Sequence, residues 1–361
     1  MFEHFWKKIL RRRRLSLLSI PAFFLWLVSL IYRLGFFIKK KFSSATVKVD
    51  LPVICVGNIT VGGTGKTPVV AQLTRYLLND GHRVGIVSSG YGRLRHESII
   101  EPGYKVQGLP VDITGDEVKH LASLLPEAVF AVEDIKGEAA KKLAGTGSVD
   151  VIIVDDGFQH FALARDLDIV TYDAGIKRKF LKPFPYGVLR EPLSALKRAD
   201  VIVITRAKFA KDLHSLKQRL KKINDRAEHY HAQFAATELK GHEQTLSVKY
   251  LEDKSVTLFA GVGNFGSLRR QVSALCADLD HAMELSDHQV YDEQLLLKIK
   301  SIADEHDSDL ILTTGKDWVK VEHFDFNREI YYLNQTVDLD PGEEKLVAYL
   351  QEKLDLQKQA T

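Results

Sequence analysis

Residues 53–70 read V-I-C-V-G-N-I-T-V-G-G-T-G-K-T-P-V-V, and this stretch decides the fold. The apolar run Val53 to Val56 predicts a buried strand. Gly62, Gly63 and Gly65 predict a tight turn, and Val69, Val70, Leu73 and Leu77 mark one face of a helix. Strand, glycine loop and helix in that order make a P-loop. Backbone N–H groups from Thr60, Val61, Gly62, Gly63, Thr64 and Gly65 turn inward around phosphates, and the helix N-terminus adds its positive dipole end. Lys66 reaches the β- and γ-phosphates, and the Thr67 hydroxyl is a Mg²⁺ ligand. Pro68 suits a first helical turn, where its missing N–H is no loss. One position departs from the strict G-x-x-x-x-G-K-[ST] pattern, Thr60 standing where a glycine is usual.

With 361 residues, the chain has room for about two domains. Hydrophobic residues at 45% and charged residues at 27% exclude wholesale disorder. A net charge of only +3 gives no global basic field, so no nucleic-acid partner is expected. Cys55 and Cys276 stand far apart in apolar contexts and read as buried thiols rather than a disulfide or a metal pair.

Residues 15–32 carry no charge, with Arg11 to Arg14 before them and Lys39 to Lys41 after. The run is at the short end for a membrane span, and Pro21 is expected to interrupt it. Six basic residues precede it (Lys7, Lys8, Arg11 to Arg14) and four follow (Arg33, Lys39 to Lys41). A span with that bias would leave the P-loop on the side without ATP. A helix or hairpin lying on anionic headgroups avoids the conflict, which makes the anionic membrane surface a partner. No internal feature points to an obligate protein partner.

From about residue 51 to 208 strand and helix alternate. Strands are predicted at 51–56, 83–88, 129–132, 149–154, 168–172 and 201–205, several of them continuous apolar runs that read as buried on both faces. The fold class is therefore α/β, a doubly wound, mostly parallel sheet. Alternation at Tyr230, Ala232, Phe234 and at Leu246, Val248, Tyr250 reads as a strand pair. A second, smaller α/β unit follows, with strands near 256–260 and 310–313 and helices near 292–306 and 343–354. The expected organisation is a membrane-associated segment over 1–45, a P-loop domain over 46–228, a two-stranded linker over 229–254 and a C-terminal domain over 255–361.

Asp155 and Asp156 end a predicted buried strand, where a P-loop site needs carboxylates to hold Mg²⁺ or its water shell. The clusters Ser88 to Arg93, which includes Tyr91, and Ile113 to Glu117 also fall at strand ends, where ligands of open parallel sheets bind. Gly261 to Gly266 matches G-x-G-x-x-G, with Asp278 and Asp280 near the acidic distance of a dinucleotide site, but such a motif standing alone is weak. His229 and His231 have no third metal ligand nearby and read as an exposed strand edge.

Taken together, G-N-I-T-V-G-G-T-G-K-T-P, S-S-G-Y-G, T-G-D-E, D-D-G-F-Q-H, L-R-E-P (189–192), G-V-G-N, S-D-H-Q (286–289) and T-T-G-K-D (313–317) resemble, in order and over nearly the whole chain, the tetraacyldisaccharide 4'-kinase family. That family's P-loop carries the Thr60 form. The resemblance implies transfer of the ATP γ-phosphate to the 4'-hydroxyl of a membrane-embedded tetraacyldisaccharide 1-phosphate, giving lipid IVA in lipid A biosynthesis at the cytoplasmic face of the bacterial inner membrane. It also implies two domains whose cleft closes on nucleotide, Asp116 as catalytic base with His288 as its partner across that cleft, and Asp155 and Asp156 as the metal-associated pair. His160, Arg190 and Tyr91 are expected near the substrate. The chain departs from the family pattern at Ser89, Gly315 and Trp318, where the family usually has Arg, Glu and Ala. The competing reading is a membrane-associated P-loop NTPase acting as a switch or transport ATPase. A guanine-specific switch, however, needs N-K-x-D or T-K-x-D, and here Lys316 and Asp317 are adjacent.

Overall fold

A computed structural model describes residues 2–10, 18–43, 47–242 and 244–358. The basic run Arg11 to Arg14 and the first three residues of the apolar run lie outside the described residues. In chain order the strands are β1 (Val53–Asn58), β2 (Val84–Ser88), β3 (Ile99–Pro102), β4 (Val129–Val132), β5 (Val151–Asp155), β6 (Leu167–Asp173), β7 (Val201–Thr205), β8 (Glu228–Lys240), β9 (Thr245–Ser247), β10 (Ser255–Ala260), β11 (Asp278–Glu284), β12 (Leu310–Thr314) and β13 (Glu329–Asp340). Contacts group the chain into two compact units, each discontinuous in sequence.

The first unit comprises Met1–Lys66, Val151–Gln233 and Leu339–Thr361. Its strands run β5-β1-β6-β7-β8, every pair parallel. Strands β1, β5, β6 and β7 are buried along their whole length, which is why β5 and β7 read as apolar runs, while β6 buries Asp168, Thr171 and Asp173 among its apolar residues. Phe158, Leu189, Leu196 and Leu220 pack against them. Cys55 is a free buried thiol in this core, and Cys276 is free and half-buried in the other unit.

Two helices, Phe2–Leu10 and Ser19–Phe42, belong to the first unit. Pro21 does not interrupt the apolar stretch. It sits in the first turn of the second helix, where no backbone N–H is needed, so the helix runs on for 24 residues, about 36 Å. That is long and apolar enough to cross a membrane, with a mean hydropathy of 1.8 over its most apolar window. Only 11% of that window is buried, so this is not a core helix. Lys39, Lys40 and Lys41 fill the last turn, where positive charge complements the helix dipole.

The second unit comprises Thr67–Asp150 and Phe234–Asp338. Here β2 pairs with β4 in parallel and β4 with β3 in antiparallel, while β11-β10-β12-β13 form a parallel set. The helices Asp116–Leu124 and Gly315–Val321 pack against each other. Lys119 Nζ and Glu322 Oε1, 2.8 Å apart, tie them together, as do Lys316 Nζ and Glu117 Oε1 at 3.2 Å.

Several expectations change. The period-two stretch 246–250 is strand only over Thr245–Ser247, and a helical turn follows at Val248–Leu251. Strand β8 is longer than expected: its first half pairs with β7 and its second half with β9. His229 and His231 are therefore not on an exposed edge; they oppose Ile202 and Ile204 of β7, and His231 Nδ1 lies 3.5 Å from Asp340. The chain passes between the two units inside β8 and inside β13.

Candidate active site

The P-loop in the first unit is built as its sequence dictates. Gly62 and Gly65 adopt φ of 94° and 84°, a region that other residues occupy only under strain. Beneath the loop, Asn58 Nδ2 donates to Thr64 Oγ1 (2.9 Å), and Thr64 Oγ1 and Thr171 Oγ1 are 2.7 Å apart. Thr171 Oγ1 donates to Gly57 O at 3.2 Å, so its single proton is spent and the Thr64 hydroxyl is the donor between the two. The segment 180–190 holds the loop from the side, through Val61 N–H to Val188 O (2.8 Å) and Arg190 N–H to Ile59 O (2.9 Å). Thr60, the departure from the strict motif, is buried and forms an isolated bridge with Leu189. A side chain at this position packs into the protein, so glycine is not required.

Lys66 is the first residue of the following helix, and Thr67 comes next. Lys66 Nζ lies 3.5 Å from Asp156 Oδ1, and Arg190 Nη1 lies 3.2 Å from Asp156 Oδ2. Asp156 thus sits between two cations at a φ of 49°, just beyond the end of β5. Asp155 is that strand's last residue and is buried. His160 is half-buried at the turn after it, its N–H bonded to Gly157 O at 2.9 Å. Lys66, Asp156 and Arg190 are therefore one cluster.

A second constellation lies wholly within the other unit. Gly115, at a φ of 80°, turns the chain into the helix whose first residue is Asp116; a side chain there would press on Tyr91 O at 3.0 Å. His288 Nδ1 is 3.1 Å from Asp116 Oδ2, and Lys320 Nζ is 2.8 Å from the same oxygen. Asp116 Oδ1 accepts the Glu117 N–H at 2.8 Å. Lys316 Nζ contacts Asp287 Oδ1 (2.9 Å), Glu117 Oε1 (3.2 Å) and His288 Nε2 (3.2 Å). His288 holds a φ of 57° in a turn closed by Gln289 N–H to Ser286 O, and the edge of the Tyr91 ring meets its imidazole at 4.9 Å.

Opposing forces set the charges here. Burial alone would raise the Asp116 pKa, but the His288 hydrogen bond and the charges of Lys316 and Lys320 outweigh it and hold the carboxyl far below its ordinary value. The Asp116 hydrogen bond raises the His288 pKa against burial and the Lys316 charge. Burial opposes the charge on Lys316, yet Glu117, Asp116 and Asp287 raise its pKa well above the usual lysine value. The result is an ionised carboxylate and a histidine whose Nε2 faces an ammonium.

Asp317, which follows Lys316 directly in sequence, has a structural task. Its fully buried carboxylate accepts from Gly261 N–H (3.0 Å), Thr314 Oγ1 (2.7 Å) and Tyr291 OH (2.9 Å). This accounts for the first glycine of the motif at 261–266. Gly261 needs no side chain because one would collide with Ser286 O at 2.5 Å, and Asn264 caps the helix Phe265–Ser273. Asp280, one of the acidic residues considered for a dinucleotide, accepts from Ser308 Oγ.

Asp116 and His288 belong to the same compact unit, where the sequence suggests two domains. Sequence reasoning assigns no role to Lys316, Lys320, Asp287 or Tyr291. Lys320 follows Lys316 by one helical turn, which is the available signal. Two of the departures have structural counterparts. The His120 ring fills the space beside Gly315, where a Cβ would come within 2.0 Å of it, so a glutamate requires that ring to move. Trp318 is buried between His242 (4.8 Å) and Tyr332 (5.5 Å). Nothing in the structure explains Ser89.

Known proteins are similar to this chain in sequence and in fold. The family profile described as Tetraacyldisaccharide-1-P 4'-kinase matches residues 21–355. The chain is 34% identical over 342 residues to the tetraacyldisaccharide 4'-kinase of Halothermothrix orenii, covering 86% of each chain. It is 37% identical over 317 residues to that of Geobacter metallireducens, covering 85% of this chain and 88% of the relative. Among solved structures it is similar to LpxK from Aquifex aeolicus in complex with ATP, with a TM-score of 0.70 and 28% identity over 93% of this chain and 99% of that one.

Proposed function

This chain belongs to the tetraacyldisaccharide 4'-kinase family, and on that premise we propose an assignment of its side chains to the reaction. The protein is a lipid A 4'-kinase: it transfers the γ-phosphate of ATP to the 4'-hydroxyl of a tetraacyldisaccharide 1-phosphate, giving lipid IVA and ADP. The P-loop residues Thr60 to Thr67 hold the nucleotide. Lys66 neutralises charge on the β- and γ-phosphates, and the Lys66–Asp156–Arg190 cluster supports this, since it presents an ammonium with a counter-ion it can exchange for phosphate.

Asp116 accepts the proton of the attacking hydroxyl, and His288, donating its Nδ1–H to the carboxylate while Nε2 accepts from Lys316, orients it. The observation that carries this assignment is the pair itself, a buried carboxylate hydrogen-bonded to a histidine that Tyr91 and Lys316 flank. Lys320 keeps the carboxylate ionised. Mg²⁺ is assigned to Thr67, Asp155 and Asp156, hard oxygen donors of the kind it prefers; bound there with the phosphates, it would offset charge on the transferring group. Tyr91, His160 and Arg190 are assigned to the acceptor lipid. The P-loop domain over 46–228 and C-terminal domain over 255–361, joined through 229–254, remain part of the proposal.

The exposed apolar helix Ser19–Phe42 and its basic last turn support peripheral or anchored attachment to the cytoplasmic face of the inner membrane. The test of function is incubation with ATP, Mg²⁺ and the detergent-dispersed acceptor, followed by mass spectrometry. A product heavier by one phosphoryl group, absent without acceptor, is expected. ATP hydrolysis without a phosphorylated lipid would favour the switch or transport reading.

A further inference from the structure

The segment 177–189 has no assigned role. Lys177, Arg178, Lys179 and Lys182 are all exposed, and among the described residues none of them pairs with a carboxylate. Lys179 Nζ instead lies 4.9 Å from the centre of the Phe180 ring, and Lys182 Nζ lies 4.9 Å from that of Tyr186. Backbone bonds fold the segment into a compact hairpin, with Val188 N–H to Phe180 O (3.0 Å), Leu189 N–H to Lys182 O (2.9 Å) and Phe184 N–H to Leu189 O (2.8 Å).

This hairpin meets both N-terminal helices. Trp6 Nε1 donates to Pro185 O at 2.6 Å, and the rings of Trp6 and Tyr32 both pack edge-on against Phe184, at 5.8 and 5.6 Å. Its C-terminal end is the extended segment bonded to the P-loop at Val61 and Ile59. One short element thus joins the exposed apolar helix to the phosphate-binding loop and carries four cations without a carboxylate partner among the described residues.

We propose that the hairpin 177–189 is a second membrane-contacting element, whose cations bind the anionic headgroups of a lipid bilayer while the N-terminal helix supplies the apolar contact. The proposal rests on the membrane reading above and extends it. Charge complementarity and continuity with the apolar helix select an anionic bilayer as the occupant. The hairpin's cations add to Lys39, Lys40 and Lys41 of the apolar helix, so that electrostatic attraction to anionic headgroups supplements the apolar contact.

The test uses the full chain with all four residues changed to glutamine (Lys177→Gln, Arg178→Gln, Lys179→Gln, Lys182→Gln). A control carries the same charge loss elsewhere in the unit, at the exposed Lys211, Lys221, Lys222 and Arg226. Partition is measured on phosphatidylglycerol-containing and on purely phosphatidylcholine vesicles. At about fivefold per cation, the hairpin variant should lose roughly 10²-fold or more on anionic vesicles and little on zwitterionic ones, an effect that salt erases. Equal loss in the control, or wild-type partition in the hairpin variant, overturns the proposal while leaving the membrane reading intact. Failure of the wild type to bind either vesicle overturns both. Circular dichroism and ATP affinity report folding, and the double variant Lys177→Gln/Lys179→Gln, with a roughly 25-fold loss expected, serves if the quadruple one misfolds.

Discussion

Asp116 and His288 are 172 positions apart in sequence, yet His288 Nδ1 and Asp116 Oδ2 lie 3.1 Å apart inside one compact unit. The same oxygen receives Lys320, and the other nitrogen of the imidazole receives Lys316. The base is therefore part of a charge network.

Lys66→Ala should abolish transfer while leaving the fold intact. The change removes the ammonium that positions the β- and γ-phosphates, a loss of ~10²–10³ in kcat for one preorganised electrostatic contact. Steady-state kinetics with a melting curve check it, and activity above about a tenth of wild type would contradict the role.

Lys320→Met should cost both activity and stability. It strips one charged hydrogen bond from a buried carboxylate, worth roughly 1–3 kcal/mol, and lets the Asp116 pKa rise. A lowered Asp116 pKa contributes stability above the unfolded value near 3.8 that is lost as pH falls towards the folded one. The variant's acid unfolding should therefore begin at a higher pH, as read by circular dichroism.

The pH profile of kcat tests the histidine. The positive charge of a protonated His288 weakens Asp116 as a base, and the raised His288 pKa places the acid limb above the ordinary value of 6.5. The His288 charge adds stability fully present below 6.5 and lost as pH rises through the folded pKa. Because the Lys316 charge lowers that pKa, Lys316→Met should move the acid limb to higher pH. A shift to lower pH would contradict the network.

Gly315→Glu should destabilise the protein by roughly 1–3 kcal/mol through overpacking against His120, whose burial lowers its pKa to about 4 and keeps it neutral. Adding His120→Ala should recover much of the loss. Thermal melts of the two single variants and the double variant decide whether position 315 and position 120 share one space.

What is legible in the sequence follows from range. The P-loop is continuous in sequence, so Val53 to Val70 reveals strand, turn and helix together, and β5 and β7 announce themselves as apolar runs. Strands β11 and β13 are not legible: β11 mixes acidic residues into its pattern, and β13 depends on pairing with distant strands. Within the site, Asp116 and His288 emerge by resemblance. Lys320 escapes notice because an ammonium on a short helix reads as a solvated face until the fold brings it to a carboxylate. Pro21 misleads for a local reason, since proline interrupts a helix interior and starts a helix equally well.

The central claim is that Asp116 and His288 act as one proton-accepting unit, and a double-mutant cycle on kcat at saturating lipid, with ATP affinity by calorimetry alongside, tests it most directly. Asp116→Asn and His288→Ala should each lower kcat by roughly 10²–10⁴ with little change in ATP affinity. The double variant should be far less impaired than the product of the two losses. Fully multiplicative losses would contradict the pairing, and a large loss of ATP binding in Asp116→Asn would move that carboxylate from the acceptor to the metal site.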